Sequence, residues 1–67
     1  MNNILTEREL EVLKLVMCGK TNKEIAEELM VSTHTIKAHV SAIMQKLGGR
    51  TRVDIAVKAL HDGVIQL

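Results

Sequence analysis

The middle of this 67-residue chain carries cations without a single carboxylate, the charge pattern of a phosphate-binding surface. Residues 29–53 contain four Lys or Arg residues and no Asp or Glu, a balance of +4. Residues 1–28 contain four basic and six acidic residues (−2), and residues 54–67 contain one basic and two acidic residues (−1). The cations of the central stretch are Lys37, Lys46, Arg50 and Arg52. A chance gap between acidic residues on an ordinary solvated surface is the alternative interpretation.

Other chemistry is poorly represented in the sequence. There is no glycine-rich phosphate loop and no nucleophile–base set, so we expect no enzyme activity. His34 and His39 are five residues apart, a poor spacing for two metal ligands on one helical face, and we expect neither a metal nor a cofactor. The lone Cys18 cannot form an internal disulfide and is predicted to be a small core residue. Because aromatic residues are absent, the base-stacking surfaces of most single-strand and RNA-binding proteins are excluded.

The elements that position these residues are predicted to be four helices, at about residues 7–18, 22–30, 33–47 and 52–62. Capping boxes at Thr6 to Glu9 and at Thr21 to Glu24 mark two starts, and hydroxyl residues precede the other two. Glycines follow three of the helices, where a left-handed residue commonly ends a helix. No segment alternates apolar and polar residues, so we expect an all-α fold that forms one domain over residues 1–67.

The second and third helices form a helix-turn-helix pattern: a short helix, the turn Met30-Val31-Ser32 and a longer helix. In the longer helix, Ile36 and Val40 are predicted to face the core. Its polar, small and cationic residues then face outward, as an element that enters the major groove of DNA requires. These residues are Thr33, His34, Lys37, Ala38, Ser41, Ala42 and Gln45.

A set of motifs extends over residues 4–65. Its first half consists of Leu5-Thr6-Glu7-Arg8-Glu9, Val12-Leu13, Gly19, Thr21-Asn22-Lys23-Glu24-Ile25-Ala26 and Leu29. Its second half consists of Val31-Ser32, Thr35-Ile36-Lys37, His39-Val40, Ile43, Lys46-Leu47, Arg52 and Ala56-Val57. Through these residues the chain resembles the LuxR/NarL/GerE-type DNA-binding domains of bacterial transcription regulators. A weaker similarity exists to the promoter-reading region of bacterial sigma factors, which shares the opening motif and the Thr-Ile-Lys piece.

The resemblance implies a DNA-binding domain that acts as a dimer on two half-sites. The family's base-contacting positions correspond to Lys37, Ala38 and Ser41, although several relatives have lysine where this chain has Ser41. The family's contacts with the DNA backbone correspond to Asn22, Lys23, Thr35 and Lys46. His34 joins them from the residues alone, because it lies at a helix N-terminus, where free N–H groups favour a phosphate. A dimer patch on the fourth helix would include Val53 and Val57.

Each of these roles has a simpler alternative. Lys37 could be a surface lysine that touches only phosphate, and Ala38 could be small only to allow close approach. Ser32 is more readily explained as a helix cap than as a DNA contact. The apolar residues of the fourth helix could all be buried in a very small core. Glu9 is a candidate partner of Arg52 if the first and fourth helices meet.

Three functions compete at this stage. The favoured one is a cytoplasmic, sequence-specific reader of double-stranded DNA in transcription regulation, for example the effector domain of a two-component response regulator. RNA polymerase is a further candidate partner, and we expect no membrane association and no small-molecule ligand. The alternatives are a helical protein-interaction module or antagonist that has lost DNA binding, and a non-specific DNA-bending domain. Binding that weakens steeply with salt would separate a DNA-binding domain from the interaction module.

Overall fold

The computed structural model describes residues 4–65, which fold into four α-helices. These are α1 (Glu7–Met17), α2 (Asn22–Leu29), α3 (Thr33–Leu47) and α4 (Arg52–His61). No residue between 4 and 65 lies in a strand. The predicted all-α, four-helix fold is therefore confirmed. Three helices end one residue earlier than expected, because the residue predicted to be the last one is the C-cap: Cys18, Met30 and Asp62.

Side-chain caps fix where each helix begins. The Thr6 hydroxyl accepts a hydrogen bond from the Glu9 N–H at 3.1 Å, and the Thr6 N–H donates to Glu9 Oε1 at 2.9 Å. Thr21 and Glu24 make the same reciprocal pair of bonds at the start of α2. Single hydroxyl groups cap the other two helices: Ser32 for α3 and Thr51 for α4. Each cap satisfies an N–H that the helix itself cannot, which holds the helix starts at defined points of the chain.

Each of the two helices of the helix-turn-helix is followed by a residue whose backbone is in the left-handed conformation. Gly48 has φ +80° after α3, as its position in the sequence predicts. Met30 has φ +60° after α2, in a region that side chains with a Cβ rarely adopt. Its side chain is 89% exposed. The tight turn after α2 therefore rests on a residue with no intrinsic preference for it.

The core lies around α3, which packs against α1, α2 and α4. Its largest fully buried side chains are Leu13, Ile25, Ile36, Ile43, Ile55 and Val12. Close to this core, Gly49 lets α4 approach the end of α3, because an added Cβ would lie 2.9 Å from Ile55 Cγ2. After α4, Val64 and Ile65 pack partly buried against the core, and residues 66–67 lie outside the described chain.

Two sequence-based expectations about single residues are wrong. Cys18 is exposed, because it is the C-cap of α1 and lies beyond the last buried turn of that helix. Glu9 does not pair with Arg52. Its buried carboxylate accepts a bond of 2.7 Å from Lys46 Nζ, and so joins the start of α1 to the end of α3.

Candidate nucleic-acid interface

The outer face of α3 is exposed along its length, while the inner face is buried. Ile36, Val40, Ile43 and Leu47 are the buried residues. The residues predicted to face outward are exposed, except Ala42, which is half-buried: Thr33, His34, Lys37, Ala38, Ser41, Ala42 and Gln45. The sequence pattern therefore oriented this helix correctly. An exposed helix with a cationic, mostly small-residue face is suited to lie in the major groove, which is about 12 Å wide.

Part of this face carries mostly small side chains. Ala38, Ser41 and Ala42 line a shallow groove on α3 that continues to Gln45 and reaches Gly49 in the loop after the helix. A base edge can approach a helix backbone closely where the side chains are this short. Lys37 precedes Ala38 in the helix and is exposed, and within residues 4–65 its ammonium makes no ion pair with a carboxylate.

A second cleft brings the start of α2 next to the same face. It is lined by Asn22 from α2, by Lys37, Val40, Ser41 and Met44 from α3, and by Arg52 from α4. Two of the residues predicted to contact bases, Lys37 and Ser41, therefore share a cleft with Asn22, which is predicted to contact the DNA backbone. Lys23 follows Asn22 in the first turn of α2 and is exposed.

The first turn of α3 contributes His34 and Thr35 to this side of the molecule. His34 is exposed and Thr35 is half-buried. Ser32 accepts a bond from the Thr35 N–H at 3.1 Å, so its role as a helix cap is confirmed. The two hydroxyl oxygens are 3.0 Å apart, and either can be the donor. When Ser32 donates, the Thr35 hydroxyl keeps its own proton for another acceptor such as a phosphate oxygen.

Lys46 differs from Lys23 and Lys37, the other two predicted site lysines, because within residues 4–65 it is the one of the three that forms an ion pair. Its Nζ lies 2.7 Å from Glu9 Oε1, and its side chain is about one-third exposed. This bond from Lys46, together with the Thr6 N–H, lowers the pKa of Glu9 below its ordinary value of 4.5. The carboxylate therefore stays ionised at neutral pH and offsets part of the charge of Lys46.

Carboxylates are not absent from the α2 side of the surface. Glu24 lies two residues after Asn22, and the Thr21 backbone N–H lowers its pKa. Glu24 Oε1 accepts a hydrogen bond of 2.8 Å from the Thr21 N–H, so this carboxylate is engaged in the cap of its own helix. Lys20 precedes Thr21, and its Nζ lies 3.6 Å from Glu28 Oε1. Among the predicted contact residues of α2, Lys23 has no such partner within residues 4–65.

Arg52 is a residue of this region whose contacts the sequence did not reveal. Its Nη1 donates to Asn22 Oδ1 and its Nη2 donates to the Lys20 carbonyl oxygen, both at 2.6 Å. The two partners are 30 and 32 residues away along the chain. No periodicity or local motif signals a pairing at such a separation, so the sequence offered no basis for finding it.

Helix α4 presents a row of apolar side chains to solvent. Val53 is 72% exposed and Val57 is 59% exposed, so both point outward as predicted. Leu60, 38% exposed, continues the row one turn on and was not identified from the sequence. Positions four and three residues apart lie on one helical face, so the three side chains form a continuous patch. Ile55 and Ala59 supply the buried face of the helix.

No group of three or more His, Cys, Asp or Glu residues within the described chain is arranged to hold a metal ion. The helices between residues 4 and 65 are too short or too polar to cross a bilayer. The distinctive features of this surface are therefore the outer face of α3, the adjoining helix starts and the apolar row on α4.

Comparison with protein families identifies the origin of this arrangement. The family model GerE, described as bacterial regulatory proteins of the luxR family, matches residues 3–59. The chain belongs to the luxR family of bacterial regulatory proteins. The predicted resemblance is thereby confirmed, and DNA-binding transcription regulation is the function class of this chain.

Individual luxR-family relatives agree with this assignment. The spore germination protein GerE of Bacillus subtilis is 45% identical over 64 residues, which cover 96% of this chain and 86% of GerE. The transcriptional regulatory protein LiaR of the same organism is 51% identical over 61 residues, which cover 91% of this chain and 29% of LiaR. The oxygen regulatory protein NreC of Staphylococcus aureus is 44% identical, over 94% of this chain and 29% of NreC.

Solved structures carry the same fold. The response regulator ChrA of a heme-sensing two-component system has a TM-score of 0.90 and 31% identity, over 97% of this chain and 32% of ChrA. Vibrio cholera VqmA, solved as a complex with a ligand and DNA, has a TM-score of 0.84 and 30% identity, over 94% of this chain and 28% of VqmA. The luxR-type domain described here thus spans most of GerE but less than a third of LiaR, NreC, ChrA and VqmA.

Proposed function

We propose that this luxR-family domain binds specific sequences in double-stranded DNA by inserting the N-terminal half of α3 into the major groove. The observation that carries the proposal is the exposed outer face of α3, where Lys37 makes no ion pair within residues 4–65 and several neighbouring side chains are short. The neighbour VqmA, whose structure includes DNA, supports it by sharing the fold at a TM-score of 0.84. Helix insertion of this kind is the docking mode of helix-turn-helix domains.

Base readout is assigned to three residues on this face. Lys37 donates to guanine O6 and N7, the contact most often used for specific readout. Ala38 offers its methyl group to a thymine methyl. Ser41 lies one turn further on and lines both depressions of the surface, so its hydroxyl has access to a base edge. A short serine at this point reaches less far than a lysine would, which predicts a site preference different from that of lysine-bearing relatives.

Contacts with the DNA backbone are assigned to residues around that face: Asn22, Lys23, His34, Thr35 and Lys46. The first four lie in the first turns of α2 and α3, where the helix dipole and free N–H groups favour an anion. Lys46 stays in the set as the weakest member, because Glu9 already neutralises part of its charge. Such contacts fix orientation and salt dependence without reading sequence.

A homodimer on two half-sites is the proposed assembly. The exposed row of Val53 and Val57, extended by Leu60, is a self-complementary candidate for the contact because apolar side chains on one helix can pack against a second copy. One protomer would then read each half-site, with the α4 helices between them.

The remaining parts of the proposal concern context. We propose a single non-enzymatic domain over residues 1–67 that works in the cytoplasm without cofactor, metal or small-molecule ligand. RNA polymerase is a further proposed partner. Since the chain spans less than a third of LiaR and NreC, a role as the effector part of a response regulator is also a proposal.

Selection of bound duplexes from a random-sequence library tests the proposed function. We expect enrichment of a defined motif, repeated with two-fold symmetry, and a binding constant whose logarithm falls linearly as the logarithm of salt concentration rises. Salt-dependent binding without an enriched motif would instead indicate a non-specific architectural domain. Absence of duplex binding at low salt would indicate a protein-interaction module.

A further inference from the structure

Arg52 connects two helices whose backbones do not pack together. Among the four helices within residues 4–65, α2 and α4 are the only pair without direct backbone packing. The guanidinium of Arg52, in the first turn of α4, nevertheless donates to Asn22 Oδ1 and to the Lys20 carbonyl oxygen at 2.6 Å. These acceptors lie on either side of Thr21, the N-cap of α2. One side chain of α4 therefore holds the loop that precedes α2.

The chemistry of this contact fixes which end of the Asn22 amide faces which way. A guanidinium has five N–H donors and no acceptor, so only the oxygen of the amide can face it. The NH2 group of Asn22 must then point away from Arg52. The bond to the Lys20 carbonyl engages a second donor of the same planar group, which restricts the rotation of the guanidinium.

The location of this contact gives it a functional meaning. Asn22 and Arg52 line one cleft with Lys37 and Ser41, the residues proposed to read bases. An amide NH2 group held beside that cleft is a ready donor to a phosphate oxygen of bound DNA. Holding it before binding removes part of the ordering cost of the complex.

We propose that Arg52 is a positioning residue for DNA binding: it holds the Asn22 amide with its NH2 group ready for a phosphate. This inference rests on the proposed function, since it assumes that Asn22 meets the DNA backbone. It assigns Arg52 an effect on affinity that acts through Asn22, and not through a phosphate contact of its own.

The test is a double-mutant cycle on the duplex that the wild-type domain selects, with Arg50→Ala as the matched control. Arg50 is an exposed arginine two residues earlier, so its removal changes the net charge by the same amount. We expect Arg52→Ala to weaken binding about tenfold more than Arg50→Ala, the effect of one hydrogen bond to a charged group. In an Asn22→Ala background, Arg52→Ala should cost no more than Arg50→Ala. Undiminished loss in that background would overturn the proposal, because Arg52 would then act independently of Asn22.

A charge-conserving variant separates geometry from charge and protects the test against unfolding. Arg52→Lys keeps the net charge, but an ammonium lacks the planar fork that holds two acceptors at once. We expect it to keep the thermal transition and to weaken binding severalfold. In the DNA-free protein, ¹⁵N relaxation of the Asn22 side-chain amide should show a rigid group in the wild type and a mobile one in Arg52→Lys. Wild-type affinity and an unchanged amide in Arg52→Lys would contradict the proposal.

The two proposals fail in different ways. If the wild-type domain binds no duplex, the proposed function falls and this inference falls with it. If the wild type binds and the cycle shows no coupling, only the assignment of Arg52 is lost.

Discussion

Met30 and Gly48 end consecutive helices in the same left-handed conformation, but only one of them is a glycine. A residue with a Cβ costs about 1–2 kcal/mol in this conformation, whereas glycine loses about 0.5–1 kcal/mol of stability through its more flexible unfolded chain. At 89% exposure, the Met30 side chain contributes little packing to offset the strain.

Met30→Gly should therefore raise the free energy of unfolding by about 0.5–1 kcal/mol. The reverse change, Gly48→Ala, should lower it by about 1 kcal/mol, because an added Cβ there meets open space and only backbone strain remains. Urea denaturation of both variants measures the difference. Destabilisation by Met30→Gly would mean that the exposed side chain makes a contribution that its surroundings do not indicate.

Glu9 and Glu24 occupy equivalent places in two capping boxes, and among the contacts within residues 4–65 Glu9 alone of the two also binds a lysine. Since the folded state lowers the pKa of Glu9 below 4.5, its ionised form adds stability above that pH. That contribution is lost as the pH falls through the lowered pKa of the folded state.

Glu9→Gln should thus reduce stability at pH 7 by about 1–2 kcal/mol, a value kept modest because water reaches Lys46. The deficit should shrink toward zero as the wild-type carboxyl is protonated below pH 4.5. Glu24→Gln is the control and should show a smaller pH-dependent change. Thermal denaturation between pH 3 and pH 7 provides the comparison, and equal profiles for the two variants would exclude a role for Lys46.

Of the contacts that these residues make, only the local ones could be predicted from the sequence. The caps Thr6, Thr21 and Ser32 could be recognised because their partners are three residues away. The Glu9–Lys46 pair spans 37 residues, and its members meet only because α1 and α3 pack together. The left-handed conformation of Met30 could not be predicted from the sequence, since methionine has no preference for positive φ.

At the scale of the element, α3 combines a buried and an exposed face on one 15-residue helix. Its period-3.6 apolar residues predicted both the helix and its orientation, and its bounds agree at both ends. The exposed residues of α3 could also be predicted, because they are the positions that the buried apolar stripe does not occupy. Which of them touches a base depends on how the helix lies in the groove, and the sequence contains that information only through family resemblance.

Lys37→Ala tests the reading role of α3. We expect binding to weaken by about 1–3 kcal/mol and the preference at one base pair of the selected motif to relax. Lys23→Ala is the matched control, because Lys23 is an exposed lysine proposed to meet only phosphate. It should weaken binding to all sequences evenly. An even loss with Lys37→Ala as well would reassign Lys37 to the DNA backbone.

The whole molecule is small, and its surfaces divide the proposed work between helices. The start of α2 and the outer face of α3 border one cleft, whereas the apolar row of α4 is the proposed contact with a second copy. Family resemblance predicted a dimer patch on α4 that includes Val53 and Val57, and burial separates these exposed residues from the buried Ile55 and Ala59.

Val57→Glu should disrupt the dimer without unfolding the domain, because the side chain is 59% exposed in the isolated chain. We expect this variant to bind a single half-site like the wild type but to lose the cooperative gain on a duplex with two half-sites. Lys58→Ala, at the neighbouring exposed position, changes the net charge by the same −1 and is the control for charge. Gel-shift titrations on one-site and two-site duplexes distinguish the two outcomes. Unchanged cooperativity in Val57→Glu would place the dimer contact elsewhere.

We expect duplex DNA to meet this domain on the outer face of α3. Titration of the ¹⁵N-labelled domain with its selected duplex, followed by amide chemical shifts, measures where the contact lies. The largest changes should occur in the first half of α3, around residues 33–41, and at Asn22 and Lys23, with small changes in the middle of α1. Changes concentrated on α1, with the amides of residues 33–41 undisturbed, would contradict it.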